Sequence, residues 1–182
     1  MLNTNAARTR NIAYIGMFVA IIAVCAQISI PMPGGVPITL QTWAVSLAGV
    51  LLGAKKGAAA AVVYMLLGAG GIPVFTNFTG GIGVIFGPTG GFILSFPLQA
   101  ALSGFGAGKG SNISLAAGLI SGTVVNLFTG MIFLSFVLSV NIEAAFAAAI
   151  LPFIPGEIVK IVLVAVIGKN IRTALLKSGF AI

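Results

Sequence analysis

A chain of 182 residues that is 59% hydrophobic and only 6% charged is not built like a soluble domain, where about 25% of residues carry charge. It reads as an integral membrane protein, all-α, forming a single domain over residues 1–182. The net charge of +7 does not imply nucleic acid, because the nine bases stand singly or in pairs with no aromatic-interleaved stripe; the lack of His and the lone Cys25 exclude an internal disulfide and most His/Cys metal sites.

A bilayer core of about 30 Å takes roughly 20 apolar residues per helix. The first such run is 11–30, which follows Arg8 and Arg10 and ends at Pro31 and Pro33. It is long enough to span, and Val24 fits poorly before a lipoprotein cysteine, so it is expected to be a retained helix rather than a cleaved leader. Gly16 and Ala20 give it a small-xxx-small face, which serves either packing inside the bundle or docking to a partner membrane subunit.

A second helix is expected over 38–53, stopping at Lys55-Lys56, and a third over 57–70. The segment 70–91 is rich in Gly and holds Pro73 and Pro88, yet is too apolar for a solvated loop. Irregular backbone at membrane depth survives only against protein or a water-filled cavity, so this loop should fold back over the bundle. A fourth helix follows over 90–108 and a fifth over 113–140. The last region begins near Glu143, breaks at Pro152 and Pro155, and resumes over 156–168 before a tail with Lys169, Arg172 and Lys177.

Topology tests this count. Arg8 and Arg10, Lys55-Lys56, Lys109 and the basic tail fall in every second connection, while 31–37, 70–91 and 141–155 contain no Lys or Arg. The positive-inside rule is met by six helices with both termini cytoplasmic, so the Gly/Pro-rich loops are outer ones that cap a pocket.

Within this scaffold Glu157 and Lys160 stand out. Of the two acids and nine bases, these are the pair set inside an apolar run. A charge at bilayer depth costs about 2.5–3.5 kcal/mol on insertion scales. Positions i and i+3 share one helix face, so the two form one polar patch in the first turn after Pro155-Gly156, near the outer loops. The patch is either an ion pair that locks helices or a ligand site. Thr39, Gln41 and Thr42 open the second helix on the same side, and Asn77 and Thr79 lie in the Gly-rich loop. Thr39 suits a helix cap as well as a ligand contact, whereas the amide of Gln41 in an apolar helix needs a partner. Phe75, Phe78, Phe86, Phe92 and Trp43 are the candidate apolar walls, giving the mixture usual in small-molecule sites.

No enzyme is indicated, with no catalytic residue, metal ligand set or cofactor motif. The glycines before Lys109 imitate a phosphate loop, but Ser103 and Gly110 stand where Gly and Ser/Thr are needed. Any ATP-driven work must come from another protein. From the residues alone, a self-sufficient transporter or channel using Glu157–Lys160 as an ion or proton relay stays open beside a solute-binding subunit.

Several stretches, in order, carry a resemblance over almost the whole chain. They are Pro31-Met-Pro33 with Val36-Pro-Ile-Thr-Leu-Gln41-Thr42, Leu66-Leu-Gly-Ala-Gly-Gly-Ile-Pro-Val-Phe75, Gly80-Gly-Ile-Gly83 with Phe86-Gly-Pro-Thr-Gly-Gly-Phe92, and Pro152-Phe-Ile-Pro-Gly-Glu157-Ile-Val-Lys160. Together they resemble the biotin-specific substrate-binding subunits (BioY) of energy-coupling-factor transporters. The resemblance implies six helices in the cell membrane, an outward-facing biotin pocket and no intrinsic ATPase. It also implies a transmembrane coupling subunit carrying two cytoplasmic ATPases, which the face of Gly16 and Ala20 would help to dock. Glu157 stands where the family usually has Asp, Lys160 at a family lysine, Thr79 where some members have Asn, and Phe92 at a frequent Tyr. The implied contact set is Gln41, Phe75, Asn77, Thr79, Phe92, Glu157 and Lys160. A carboxylate and an ammonium match the ureido group of biotin, which has two N–H donors and one strong acceptor; Lys160 reaches either that acceptor or the carboxylate tail.

Overall fold

The computed structural model describes residues 4–32 and 34–177, so Pro33 of the first loop motif lies outside the described residues. Helix α1 (Thr4–Gln27) leads into a ribbon in which β1 (Ser29–Ile30) pairs antiparallel with β2 (Ile38–Thr39). Then come α2 (Gln41–Ala69), a 3₁₀ turn at Thr76–Phe78, the single turn α3 (Ile82–Ile85), α4 (Gly90–Gly108) and α5 (Asn112–Leu138). The chain closes with α6 (Ile142–Ala149), α7 (Ile154–Leu163), a π-helical stretch at Val164–Gly168, and α8 (Lys169–Lys177). The architecture is helical apart from the short ribbon. The first helix therefore ends earlier than its hydropathy suggests, because Ser29 and Ile30 pair as a strand instead.

By length and composition α1, α2 and α5 are each apolar enough to cross a membrane; α6 with the helix from Ile154 forms a further candidate span bent by 47°. α5 shows what apolarity on every side means. Leu119, Asn126, Leu127 and Leu134 face the core, while Ile120, Val124, Phe128, Ile132 and Phe136 form an exposed stripe at intervals of four. A helix that is hydrophobic all round needs protein on one side and lipid on the other.

Helix α2 is not one rod. Gly53 has φ 80° and ψ 169°, a backbone shape that glycine adopts without the Cβ penalty. The two halves fold back on one another there, so closely that a Cβ on Gly57 would lie 2.6 Å from the Cα of Gly49. The turn falls just before Lys55-Lys56, and both lysines are helical. Arg172 donates from Nη1 to the Val50 carbonyl, satisfying an oxygen that the break at Gly53 releases.

Small residues set the remaining spacing. A Cβ on Gly106 would meet the Cα of Gly118 at 2.9 Å, and one on Gly49 would meet the Ala100 carbonyl oxygen at 2.1 Å. Backbones in contact at glycine are the usual means of helix association where burial from water offers no drive. The result is a bundle with two unlike ends. The segments 28–32, 34–40, 70–89 and 139–153 gather at one; the Gly53 turn, the end of α4 and the basic segment of α8 gather at the other. Apolar clusters reach both, one from Phe18 and Ile22 through Val45, Tyr64 and Phe96, the other around Val36, Phe92, Leu134 and Phe153.

Candidate binding site

At the loop-bearing end the bundle encloses a cavity of about 220 Å³. Its polar patch is built by α2 and α7. Pro155 sits in the first turn of α7, where its missing N–H costs nothing, and Glu157 and Lys160 follow on the inward face. Both side chains are buried, and Lys160 Nζ lies 2.7 Å from Glu157 Oε1. Thr42 completes the group. Its hydroxyl donates to Glu157 Oε1 at 3.0 Å and accepts from Lys160 Nζ at 2.9 Å. Thr42 is held in turn by Gln99, which is fully buried and donates from Nε2 to the Thr42 carbonyl and to Ser46 Oγ.

This arrangement neutralises the two charges against each other without saturating them. Glu157 Oε2 has no partner among the described residues, and Lys160 keeps one N–H after those given to Glu157 and Thr42. An acceptor and a donor therefore stand side by side at the cavity wall. The apolar wall is Phe75, Phe92, Phe96 and Phe153 with Val36, Ile93 and Leu127. Phe92 and Phe153 stack with centroids 6.0 Å apart and planes 20° from parallel.

All seven residues singled out in the sequence for ligand contact line this one cavity. Gln41 is more committed to protein than its sequence setting suggests. It donates to the Tyr64 hydroxyl at 2.6 Å and accepts from Thr39 at 3.0 Å and Thr76 at 3.2 Å; Tyr64 passes the chain on to the Val74 carbonyl. Gln41 thus ties the first loop to the Gly-rich one. Thr39 is both a lining residue and a local brace, accepting from the Gln41 N–H.

The aromatic wall differs from the expectation. Phe78 and Phe86 are 71% and 68% exposed and point away from the cavity; the backbone of Phe78 has φ 55°, which turns its ring outward. Trp43 lines a small void beneath the charge pair instead of the cavity itself. Gly16 and Ala20 are both exposed, and nothing lies within 4 Å of a Cβ built on Gly16. Among the described residues, Gly16 and Ala20 therefore stand on a face of α1 that is open rather than packed into the bundle.

The model of the BioY family matches residues 2–177. The chain belongs to the BioY family. It is 39% identical over 165 residues to the probable biotin transporter BioY of Pyrococcus horikoshii, covering 91% of this chain and 98% of that protein. Its identity to the biotin transporter BioY of Thermotoga maritima is also 39% over 165 residues, covering 90% and 96%. Among solved structures, the S-component for biotin from an ECF-type ABC transporter aligns with a TM-score of 0.85 and 29% identity, over 94% of this chain and 95% of that one. These relatives are transporters, and the BioY family is not a family of enzymes.

Within this BioY-family chain several lining residues escaped the sequence reading, Ile93, Phe96, Asn126, Leu127 and Phe153 among them. Asn126 is 1% exposed and donates from Nδ2 to the Phe92 carbonyl at 2.9 Å and to Ser95 Oγ at 2.7 Å. Its signal was an amide inside the long apolar run of α5, the same cue that marked Gln41. Phe153, between Pro152 and Pro155, gave no signal beyond the motif around it.

Proposed function

We propose that this chain captures biotin on the outer side of the cell membrane and delivers it as the substrate-specific subunit of an ECF-type transporter. Biotin is cargo, and the scheme requires no cofactor. The observation that carries the reading is the unsatisfied half of the charge pair. Glu157 Oε2 is free to accept a ureido N–H, and the spare N–H of Lys160 can donate to the ureido oxygen or to the tail carboxylate. Phe75, Phe92 and Phe153 suit the thiophane ring and aliphatic chain. Asn77, Thr79 and Asn126 offer amides and a hydroxyl to the carboxylate.

Orientation follows from charge. Counting the two halves of α2 separately gives six spans: α1, the halves of α2, α4, α5, and the bent unit from α6 to α8. Every base except Lys160 then falls at the end opposite the cavity, which supports a cytoplasmic placing of that end and of both termini. ATP hydrolysis belongs to partners, a transmembrane coupling subunit with two ATPases, and the exposed face of Gly16 and Ala20 suits close contact with such a helical partner.

The test is direct binding to the purified chain in detergent, comparing biotin with thiamine and riboflavin. Saturable binding of biotin alone is expected. Absence of biotin binding, or equal binding of the other two vitamins, overturns the proposal.

A further inference from the structure

Gln27, the last residue of α1, lies behind the cavity wall and does not line the cavity. Its side chain is half-buried and makes three hydrogen bonds. Nε2 donates to the Ala23 carbonyl at 3.0 Å and to the Phe75 carbonyl at 3.1 Å, while Oε1 accepts from the Phe78 N–H at 2.9 Å. One amide therefore grips both ends of the turn at residues 75–78, the turn that presents Phe75, Thr76 and Asn77 to the cavity with Thr79 just beyond.

That turn needs a grip. Asn77 and Phe78 have φ values of 57° and 55°, two successive residues in the left-handed region without a glycine between them. Phe75 is anchored by its own ring, which is 1% exposed and meets Tyr64 edge-on at 5.5 Å. Residues 77–79 have no such anchor and are exposed. The other holds on them are a Phe75 N–H to Thr79 carbonyl bond at 3.0 Å, Thr79 contacts to the Thr76 carbonyl, and Ser29 Oγ donating to Asn77 Oδ1 at 3.3 Å.

We propose that Gln27 is a positioning residue that fastens the Asn77–Thr79 wall across the cavity and so sets how long a bound ligand stays. The proposal rests on the biotin reading above, since the ligand used to test it is biotin. Loss of a wall fastening acts on escape more than on entry, because changes within one interface fall mainly on the dissociation rate.

Release of radiolabelled biotin from the full chain in detergent tests this. Gln27→Leu, close in volume, and Gln27→Ala should speed dissociation about tenfold or more and leave association within about threefold. Hydrogen exchange over 75–86 should rise in both, with α4 and α5 unchanged. Adding Phe78→Gly, which removes the side-chain penalty in the turn, should restore part of the slow release. Asn141→Ala is the control. It removes the α6 cap, where Asn141 Oδ1 accepts from the Ala144 N–H at 2.8 Å, and should lower stability without altering release. Should Gln27→Ala fail to fold, Gln27→Leu carries the test. Release within twofold of the parent, or no different from Asn141→Ala, overturns the positioning role; a parent chain that never binds biotin overturns the reading beneath it instead.

Discussion

Gln41 Nε2 lies 2.6 Å from the Tyr64 hydroxyl, although both belong to α2 and 23 positions separate them. On an unbroken helix with a rise of about 1.5 Å per residue they would stand roughly 35 Å apart. The contact exists because the chain reverses at Gly53. It joins the reversal to the binding site, since Gln41 lines the cavity and Tyr64 holds the Val74 carbonyl of the Gly-rich loop. Tyr64→Phe keeps the ring and removes that hydroxyl. It leaves a buried amide N–H and a carbonyl short of a partner, costing about 1–3 kcal/mol. The melting temperature in detergent should fall by several degrees; an unchanged melt would show that the Gln41–Tyr64 link carries no stability.

The reversal makes a second prediction. Gly57→Val must drive the halves of α2 apart, because even a Cβ there meets the Gly49 backbone at under 3 Å. Gly108→Ala has open space around it and no left-handed φ. Relative to Ala, a helical glycine costs about 0.5–1 kcal/mol, so Gly108→Ala should be neutral or slightly stabilising. Expression and melting of the two variants check this contrast, and a well-folded Gly57→Val would refute the close approach of the halves.

For the charge pair the sign of the double substitution is informative. Glu157→Gln or Lys160→Met alone leaves one buried charge uncompensated, a loss of about 3–5 kcal/mol. Glu157→Gln with Lys160→Met removes both charges and should melt above either single variant. Biotin affinity should stay low in all three. A hydrogen bond to a charged group is worth about 1.5–3 kcal/mol, or roughly 10–150-fold in affinity. Isothermal titration beside thermal melting separates the two effects. If affinity recovers with stability in the double variant, the pair locks helices and does not read the ligand.

Much of this was legible in the sequence because the cues were physical boundaries. The bounds of α4 and α5 lie close to their expected positions, since glycine with Lys109 between them interrupts an otherwise continuous apolar pattern. The pairing of Glu157 with Lys160 followed from helical spacing and the cost of isolated charge in lipid. The end of the second helix at Gly53 matches the reversal, but Lys55-Lys56, expected to form the turn, already belong to the next helical half. Charges mark where a chain meets water, whereas the reversal is made by the backbone of Gly53. The outward Phe78 was unreadable for a related reason, because a left-handed φ at a phenylalanine runs against local preference and is imposed by contacts such as that of Gln27. Ser29–Ile30 passed as the end of a helix because strand pairing depends on a partner, Ile38–Thr39, that hydropathy does not reveal.

The outward face of α1 predicts a separation of binding from transport. Gly16→Leu adds bulk where a Cβ would meet nothing within 4 Å among the described residues, and Ala20→Leu adds it at an exposed position of the same face. Both variants should melt and bind biotin like the parent, while uptake into cells supplying the coupling subunit and ATPases should be largely lost, together with co-purification of those partners. Normal uptake by both variants would remove this face from docking.

Asn126 gives the last prediction, and it concerns how the aromatic wall is held. Helix α4 contains Pro97, which has no N–H for the carbonyl four residues earlier and loosens the helix around Ile93. The neighbouring Phe92 carbonyl is secured by two side chains, Asn126 Nδ2 from α5 and Ser95 Oγ from the same helix, both at 2.9 Å. The Phe92 ring lies against Gly130, where a Cβ would come within 2.4 Å of it, and stacks on Phe153. Asn126→Leu removes the inter-helix donor and forces a bulkier group into the wall. It should cost about 1–3 kcal/mol of stability and weaken biotin binding as well, because Phe92 shifts with its backbone. Ser95→Ala removes the second donor to that carbonyl and one acceptor of Asn126 Nδ2, but leaves the Asn126 bond to Phe92 in place. It should lower stability less while leaving affinity near that of the parent. Paired melting and titration of the two variants test the assignment. Equal effects on affinity would mean that Asn126 acts as no more than another buried amide.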